Sequence, residues 1–163
     1  MLLIEMLPRR FFVTTGVGMD EDPLNAFDAA LRDAGIAECN LVPVSSILPK
    51  NAVHVEPVRI EPGTITFCVL ARQDGNAGEL ISAGIGYGWL SDDSGRRVHG
   101  VVCEHGGFHP KEFVRERLEA MLCRMARIRG LNLEERRIYV ESVEVEAGKC
   151  GSVVAALVFV PEP

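Results

Sequence analysis

Two stretches of the chain carry apolar residues at spacings of three and four, which is typical of helices that pack on one face. The first stretch, residues 19–35, has Asp22 as a possible cap and ends at Gly35. The second stretch, residues 109–130, ends at Gly130. We therefore predict two long helices. Their apolar stripes consist of Leu24, Phe27, Leu31 and Ala34 in the first helix and of Val114, Leu118, Met121, Met125 and Ile128 in the second.

Most of the remaining apolar positions alternate with polar ones or form short runs, which is typical of β-strands. Turns rich in Gly, Asp, Asn or Pro separate these runs, and the last two runs predict a C-terminal hairpin with the turn "AGKCG". Two amphipathic helices can cover the outer faces of two packed sheets, so we predict an α+β layered sandwich of mostly antiparallel strands. About seven strands are predicted, at "RRFFVTTGVG", "CNLVPVSSIL", "TITFCVLARQ", "ELISAGIGYGWL", "RVHGVVCEHG", "RIYVESVEVEA" and "CGSVVAALVFVP".

One predicted strand carries Gly84, Gly86 and Gly88 at alternate positions. These glycines do not form a dinucleotide-binding loop, because no helix follows them in the required order. Bare glycines along one face of a strand predict close packing there or the close approach of another chain.

Composition narrows the class of protein. The 163 residues, 47% hydrophobic and 25% charged, indicate a single globular domain, residues 1–163. A net charge of −6 argues against nucleic acid as the main partner and is compatible with a cationic small molecule. Five scattered cysteines predict reduced thiols and a cytoplasmic protein. No apolar run is long enough for a membrane span, and the N-terminus lacks the order of a signal peptide.

Two adjacent serines, Ser45 and Ser46, interrupt the apolar run "NLVPVSSILP". A serine pair commonly marks a bulge or a strand end, or bonds to its own backbone. The alternative is that the hydroxyl of one serine attacks the peptide bond that joins it to the other. The dipeptide alone does not decide between the two interpretations.

The residues around the serine pair favour the second interpretation, because they resemble a known family. Residues 23–49, "PLNAFDAALRDAGIAECNLVPVSSILP", resemble the pyruvoyl-dependent arginine decarboxylases, whose pattern is a P-L-N-A-F-D helix, a small turn, N-L and a Ser-Ser-Ile site. The likeness continues through the glycine strand, "GVVCEHGG", the second helix and the C-terminal strands. It implies a four-layer αββα sandwich that assembles as a homotrimer with its active site between subunits.

The resemblance implies self-cleavage between Ser45 and Ser46, which gives a β chain of residues 1–45 and an α chain of residues 46–163. Ser46 would become a pyruvoyl group, and only a residue with a leaving group on its β-carbon can do so. The ketone is then the cofactor, since it takes up the substrate amine and withdraws electrons as the carboxylate leaves. The implied reaction converts L-arginine to agmatine and CO2.

The family's functional residues carry over to several positions. Asn40 would hold the scissile carbonyl or the adduct with the substrate, Asp28 would bind the guanidinium, and Glu104 would protonate the product carbanion. Without the resemblance, Asp28 is a solvated charge at the rim of a helix, and Glu104 is equally well a charge at a strand end. The resemblance also implies a substrate pocket that includes Leu31, Ala37, Cys39 and Ile47.

Three residues depart from the family's pattern. Ala37 and Cys39 stand where a glycine and a β-branched residue are expected, which weakens the inference about the amino acid that is bound. His105 follows Glu104 directly, and a neighbouring imidazolium would oppose a raised pKa of that carboxyl group.

Three alternatives stay open on the sequence. The substrate is another amino acid, such as ornithine, lysine or histidine, or the chain is a non-enzymatic trimer that never cleaves. A metal site built from Cys103, His105 and His109 has suitable ligand types but no standard spacing, so we predict no metal.

Overall fold

A computed structural model of the protein describes residues 6–162. These residues form two helices, α1 (Pro23–Asp33) and α2 (Lys111–Ile128), which confirms the two predicted helices. They also form nine strands: β1 (Arg10–Asp20), β2 (Asn40–Pro43), β3 (Ile47–Leu48), β4 (Val53–His54), β5 (Ile65–Asn76), β6 (Leu80–Ser91), β7 (Arg97–Gly107), β8 (Asn132–Glu144) and β9 (Cys150–Phe159).

The strands form two sheets. The five-stranded sheet has the order β2-β5-β9-β1-β4, and the four-stranded sheet has the order β3-β7-β6-β8. Neighbouring strands are antiparallel except for β1 with β4 and β2 with β5, both at the edges of the larger sheet. The prediction of mostly antiparallel sheets is confirmed.

Three apolar clusters hold four layers together. The largest lies between the two sheets and includes Phe11, Ile85 and Leu157. A second packs α1 onto the outer face of the five-stranded sheet, and a third packs α2 onto the outer face of the four-stranded sheet. The order of layers is therefore α, β, β, α, and the predicted α+β sandwich is confirmed.

Helix α1 packs closely on β1 because the strand presents glycines to it. Ala26 and Ala30 are fully buried on this contact, and a Cβ atom at Gly16 or Gly18 would lie 2.1 Å from a helix carbonyl oxygen. The predicted apolar stripe was wrong at Leu24, which is 73% exposed, because the two buried alanines define the inner face.

Helix α2 begins after Pro110 and ends at Ile128, as the sequence signals indicate. Its inner face is formed by Val114, Leu118, Leu122 and Ala126, with Met121 and Met125 partly buried beside them. Including Ile128 in the apolar stripe was wrong, since this last residue of the helix is 74% exposed.

The glycines of β6 face elements of their own chain. A Cβ atom at Gly84 would approach Leu118 Cδ1 to 2.7 Å, and one at Gly86 would approach Leu122 Cδ1 to 3.3 Å. Of the two predicted explanations, close packing under α2 is therefore correct. These glycines do not provide a surface for a second chain.

The predicted C-terminal hairpin was wrong. Strand β8 pairs with β6 at the edge of the four-stranded sheet, whereas β9 lies between β5 and β1 in the other sheet. The turn after β8 therefore leads from one sheet to the other. Within residues 6–162, neither helix has the combination of length and apolar character that a membrane crossing requires. The prediction about a signal peptide concerns the N-terminus, where residues 1–5 lie outside the described part.

Candidate active site

The pair Ser45 and Ser46 lies where the chain crosses from one sheet to the other. Strand β2 ends at Pro43 in the five-stranded sheet, and β3 begins at Ile47 in the four-stranded sheet. The single strand predicted over "CNLVPVSSIL" was thus wrong, because the run supplies edge strands to two different sheets. Ser45 and Ser46 lie outside both strands, between the end of β2 and the start of β3. The pair therefore marks the end of a strand, which is one of the predicted interpretations.

Backbone hydrogen bonds hold both sides of the peptide bond between Ser45 and Ser46. The N–H of Val44 donates to the carbonyl of Cys68 on β5 at 2.8 Å, and the N–H of Val102 on β7 donates to the carbonyl of Ser46 at 2.8 Å. Ser45 is exposed and Ser46 is half-buried. The bond between the serines is therefore fixed from both sheets, while its carbonyl group lies at an accessible edge.

The register of β7 brings Glu104 near Ser46. Ile47 pairs with Val101, and the carbonyl of Ser46 accepts from Val102, so Glu104 lies two residues farther along on the same face as Val102. Diagonal neighbours of this kind lie about 7–8 Å apart between their Cα atoms. Burial raises the pKa of the Glu104 carboxyl group, although part of the side chain reaches solvent.

His105 does not oppose this effect, because side chains alternate along a strand. Its imidazole lies on the α2 side of β7, where its ring stacks 6.4 Å from that of His109. Burial, together with the positive charges of Arg117 and His109, lowers the pKa of His105. The histidine is therefore disfavoured as a cation, and it faces away from Glu104.

Asn40 opens β2 at the same edge of the sandwich. Its side-chain Nδ2 donates to the carbonyl of Gly63 at 2.8 Å, and its backbone N–H donates to the carbonyl of Thr64 at 2.9 Å. In the single chain, the Asn40 amide thus fixes the segment that precedes β5. A role for this amide toward the scissile carbonyl stays a prediction.

The predicted substrate-binding residues divide into two groups. Ile47, exposed on β3, and half-buried Cys39, just before β2, lie on the segments that flank the serine pair, and Ala37 precedes them in the connection from α1. Asp28 and Leu31 instead lie on α1, which packs against β1 and β9 in the middle of the five-stranded sheet. Asp28 is exposed and Leu31 is half-buried.

Sequence reasoning missed the apolar surface that surrounds the serines. Four apolar side chains on or beside β2, β3 and β5 are between 37% and 62% exposed: Val42, Val44, Ile47 and Ile65. The available signal was the β-branched run on both sides of the serine pair, for which we predicted one strand. Its residues instead lie on the two edge strands.

The residues considered for a metal site do not form one. Cys103 is buried with its thiol directed to the carbonyl of Leu118 at 3.6 Å. Across residues 6–162, no three His, Cys, Asp or Glu side chains are grouped closely enough to hold a metal ion. A pyruvoyl group is formed from a serine of the chain itself and needs no metal ligands, and Ser46 lies at an accessible edge with its carbonyl held by the N–H of Val102.

One family model and two named relatives match this chain over most of its length. The model of the family described as pyruvoyl-dependent arginine decarboxylase matches residues 10–163. A relative named pyruvoyl-dependent arginine decarboxylase 1, from Archaeoglobus fulgidus, is 39% identical over 160 residues, which covers 95% of this chain and 99% of the relative. A pyruvoyl-dependent arginine decarboxylase from Methanopyrus kandleri is 39% identical over 153 residues, which covers 94% of this chain and 97% of the relative.

A solved structure supports the fold independently. A pyruvoyl-dependent histidine decarboxylase, determined at pH 8, superimposes with a TM-score of 0.52 at 15% identity. The match covers 64% of this chain and 54% of that one. With the family match and the two relatives, these findings show that the chain belongs to the pyruvoyl-dependent arginine decarboxylase family.

Proposed function

We propose that this chain cleaves itself between Ser45 and Ser46 and then decarboxylates L-arginine to agmatine and CO2. Membership of the family supports the reaction. The structural observation that carries the proposal is the position of the serine pair, which bridges two sheets and is held by one backbone hydrogen bond on each side.

The cleavage uses atoms of the chain alone. The hydroxyl oxygen of Ser46 attacks the carbonyl carbon of Ser45, and the peptide nitrogen leaves that carbon, so that an ester replaces the amide. Loss of the α-proton of residue 46 expels the Ser45 carboxylate and leaves dehydroalanine. Addition of water and loss of ammonia then give a ketone at residue 46. Position 45 contributes only its carbonyl group, and its hydroxyl is dispensable.

The pyruvoyl group, once formed at residue 46, supplies a ketone that takes up the substrate amine and withdraws electrons during loss of CO2. Glu104 supplies a proton to the carbon that loses the carboxylate. Burial raises the pKa of Glu104, which keeps this proton available at a higher pH. The carboxylate of Asp28 pairs with the guanidinium group of arginine, and the amide of Asn40 orients the reacting group.

We further propose that the protein is a homotrimer in which a second subunit completes the site. Asp28 lies in the helical layer over the larger sheet, whereas Ser46 and Glu104 lie at the edge where β2, β3 and β7 end the sandwich. The exposed apolar side chains beside the serines provide a surface that a neighbouring copy would cover. We expect light scattering at micromolar concentration to give a trimer. An active monomer would contradict this assembly.

The test of the reaction is release of agmatine from arginine by purified, fully cleaved protein. Lysine, ornithine and histidine serve as competitors and as alternative substrates, because a carboxylate at Asp28 selects for a positive charge but does not identify the amino acid. Faster turnover of any of the three than of arginine would contradict the proposed specificity. The prediction of a cytoplasmic enzyme rests on the five cysteines, all of which carry free thiols.

A further inference from the structure

A large cavity opens between the two sheets, and its lining does not include the serine pair. It has a volume of about 710 Å³ and lies between the β1–β4 side of the larger sheet and the β6–β8 side of the smaller one. Small-molecule sites typically have volumes of about 300–1,000 Å³. None of the residues predicted for the Ser46 site lines this cavity, whose walls include Tyr87 and Trp89 on β6 and Arg97 on β7.

The walls of the cavity contain every tryptophan and tyrosine side chain of the sequence. The chain contains one tryptophan and two tyrosines, and all three, Trp89, Tyr87 and Tyr139, line the cavity. Trp89 and Tyr87 are only 6% and 3% exposed, so they form its floor. Side chains of this type offer an apolar face together with a hydrogen-bonding edge, as binding sites require.

The hydrogen bond between Tyr87 and His54 leaves a donor available in the cavity. The Tyr87 hydroxyl lies 2.6 Å from His54 Nδ1. Burial, and secondarily Tyr139, raises the pKa of Tyr87 to about 12, so the phenol keeps its proton and is able to donate it to Nδ1. In the tautomer in which Nδ1 accepts this bond, the neutral ring of His54 carries its proton on Nε2, for which the described residues offer no acceptor.

Two arginines and two glutamates line the cavity, and one of the arginines has no carboxylate partner among the described residues. The guanidinium of Arg97 lies 4.1 Å from the centre of the Trp89 ring, which holds it in place by a cation–π interaction. Arg97 forms no ion pair within residues 6–162, whereas Arg137 is 3.6 Å from Glu135. Glu56 also lines the cavity, with an exposed carboxylate. Arg97 is thus a positioned cation without a carboxylate partner in the described part of the chain.

We propose that this cavity is a second binding site that takes a small aromatic carboxylate. The ring of the ligand packs against the tyrosines and Trp89, and its carboxylate accepts hydrogen bonds from Arg97 and from Nε2 of His54. The site is formed by one chain and does not require cleavage at Ser46. Its ligand is distinct from the substrate, since arginine has no aromatic ring to place on these walls.

The natural fluorescence of the protein tests this proposal directly, because its one tryptophan is at the site. Benzoate is the probe, and benzamide is its uncharged analogue of the same shape. We expect benzoate to change Trp89 fluorescence with saturation and benzamide to bind at least tenfold more weakly. Calorimetry should give the same dissociation constant. Saturating arginine should leave the benzoate titration unchanged, as should Ser46→Ala, which removes the cleavage nucleophile.

Arg97→Gln should weaken benzoate binding by about tenfold or more, since a hydrogen bond to a charged group is lost. The matched control is Arg96→Gln, which removes the neighbouring exposed arginine that lies outside the cavity and should leave binding unchanged. In wild-type protein, benzoate should also raise the pKa of His54, measured by NMR. The proposal is overturned by the absence of saturable binding, by equal affinity for benzamide, or by equal affinity of Arg97→Gln and wild type.

Discussion

At the residue scale, Glu104 and Ser46 are related through the pairing of β3 with β7. The N–H of Val102 donates a hydrogen bond to the carbonyl of Ser46, and Glu104 follows Val102 by two positions on the same face of β7. Its carboxylate also lies near Cys68, whose pKa is raised to about 11 by burial and, to a smaller extent, by Cys39 and Glu104. Since Val44 donates to the carbonyl of Cys68, Glu104 lies close to the residues on both sides of the scissile bond.

The protonation state of Glu104 predicts how turnover depends on pH. The role of proton donor requires the neutral acid, and burial raises the pKa of this group. Turnover should therefore be retained above the ordinary range of a glutamate and should fall as the pH rises through the raised pKa. We expect kcat of the wild type to show this basic limb and the residual kcat of Glu104→Gln to lack it. An identical limb in the variant would assign the titration to another group.

Substitution of Asp28 and substitution of Glu104 should impair different kinetic parameters. Asp28→Asn should cleave normally and raise KM for arginine, because loss of a charge-assisted pair to a desolvated guanidinium costs about 2 kcal/mol or more. Glu104→Gln should cleave and bind arginine but turn it over slowly. Steady-state agmatine release measures both parameters.

A suitable control for both variants is Glu112→Gln, which removes an exposed carboxylate from the first turn of α2. It should change neither kcat nor KM by more than twofold. Equal losses of kcat with unchanged KM in Asp28→Asn and Glu104→Gln would remove the case for Asp28 as the specificity residue.

At the element scale, the contact between α1 and β1 depends on two glycines. A Cβ atom at Gly18 would lie 2.1 Å from the carbonyl oxygen of Ala26 and 2.3 Å from the nitrogen of Ala30, both in the helix backbone. Gly18→Ala must therefore displace α1. We expect it to lower the free energy of unfolding by about 1–3 kcal/mol or more, measured by urea denaturation.

Gly86→Ala provides the matched comparison on the other side of the sandwich. There the new methyl group would meet two side-chain atoms, Cys103 Sγ at 3.2 Å and Leu122 Cδ1 at 3.3 Å, which can move by a few tenths of an ångström. It should destabilise the protein less than Gly18→Ala does. The reverse order would contradict the account of the two helix contacts.

The sequence predicted the helices better than the pairing of the strands. Capping residues and apolar spacing are local signals, and they located α1 and α2 correctly. A turn signal, in contrast, does not show whether the next strand returns to the same sheet, so β9 was wrongly paired with β8. The unbroken apolar run of β9, buried from Gly151 to Val160, was the available signal for a central strand. Strand β4 has only two residues, too few for a periodic pattern.

At the scale of the whole molecule, the bond proposed to be cleaved is a covalent link between the two sheets. The part of the chain before it contributes β1 and β2 to the larger sheet and α1 to the layer that packs on it; β1 lies between β9 and β4, and β2 pairs with β5. These pairings do not depend on the bond between Ser45 and Ser46. The two fragments should therefore stay associated after cleavage and separate only when the protein is denatured.

Part of the site depends on long-range strand pairing, which a single sequence does not reveal. The family resemblance predicted roles for the serines and Glu104, and the pairing of β3 with β7 brings these residues to one edge. The apolar surface around the serines depends on which strands end the two sheets, and this follows from long-range pairing rather than from any local pattern. The β6 glycines do not support a trimer for the same reason, since side chains of α2 cover Gly84 and Gly86 and Leu133 covers Gly88.

Intact mass spectrometry under denaturing conditions tests the central claim, self-cleavage at Ser46, most directly. The account predicts two fragments, residues 1–45 and residues 46–163, the second beginning with a pyruvoyl group in place of serine. Ser46→Ala should give one chain of 17.8 kDa, and Ser45→Ala should still cleave. A single chain of 17.8 kDa from active wild-type protein, or cleavage at this bond in Ser46→Ala, would contradict the account.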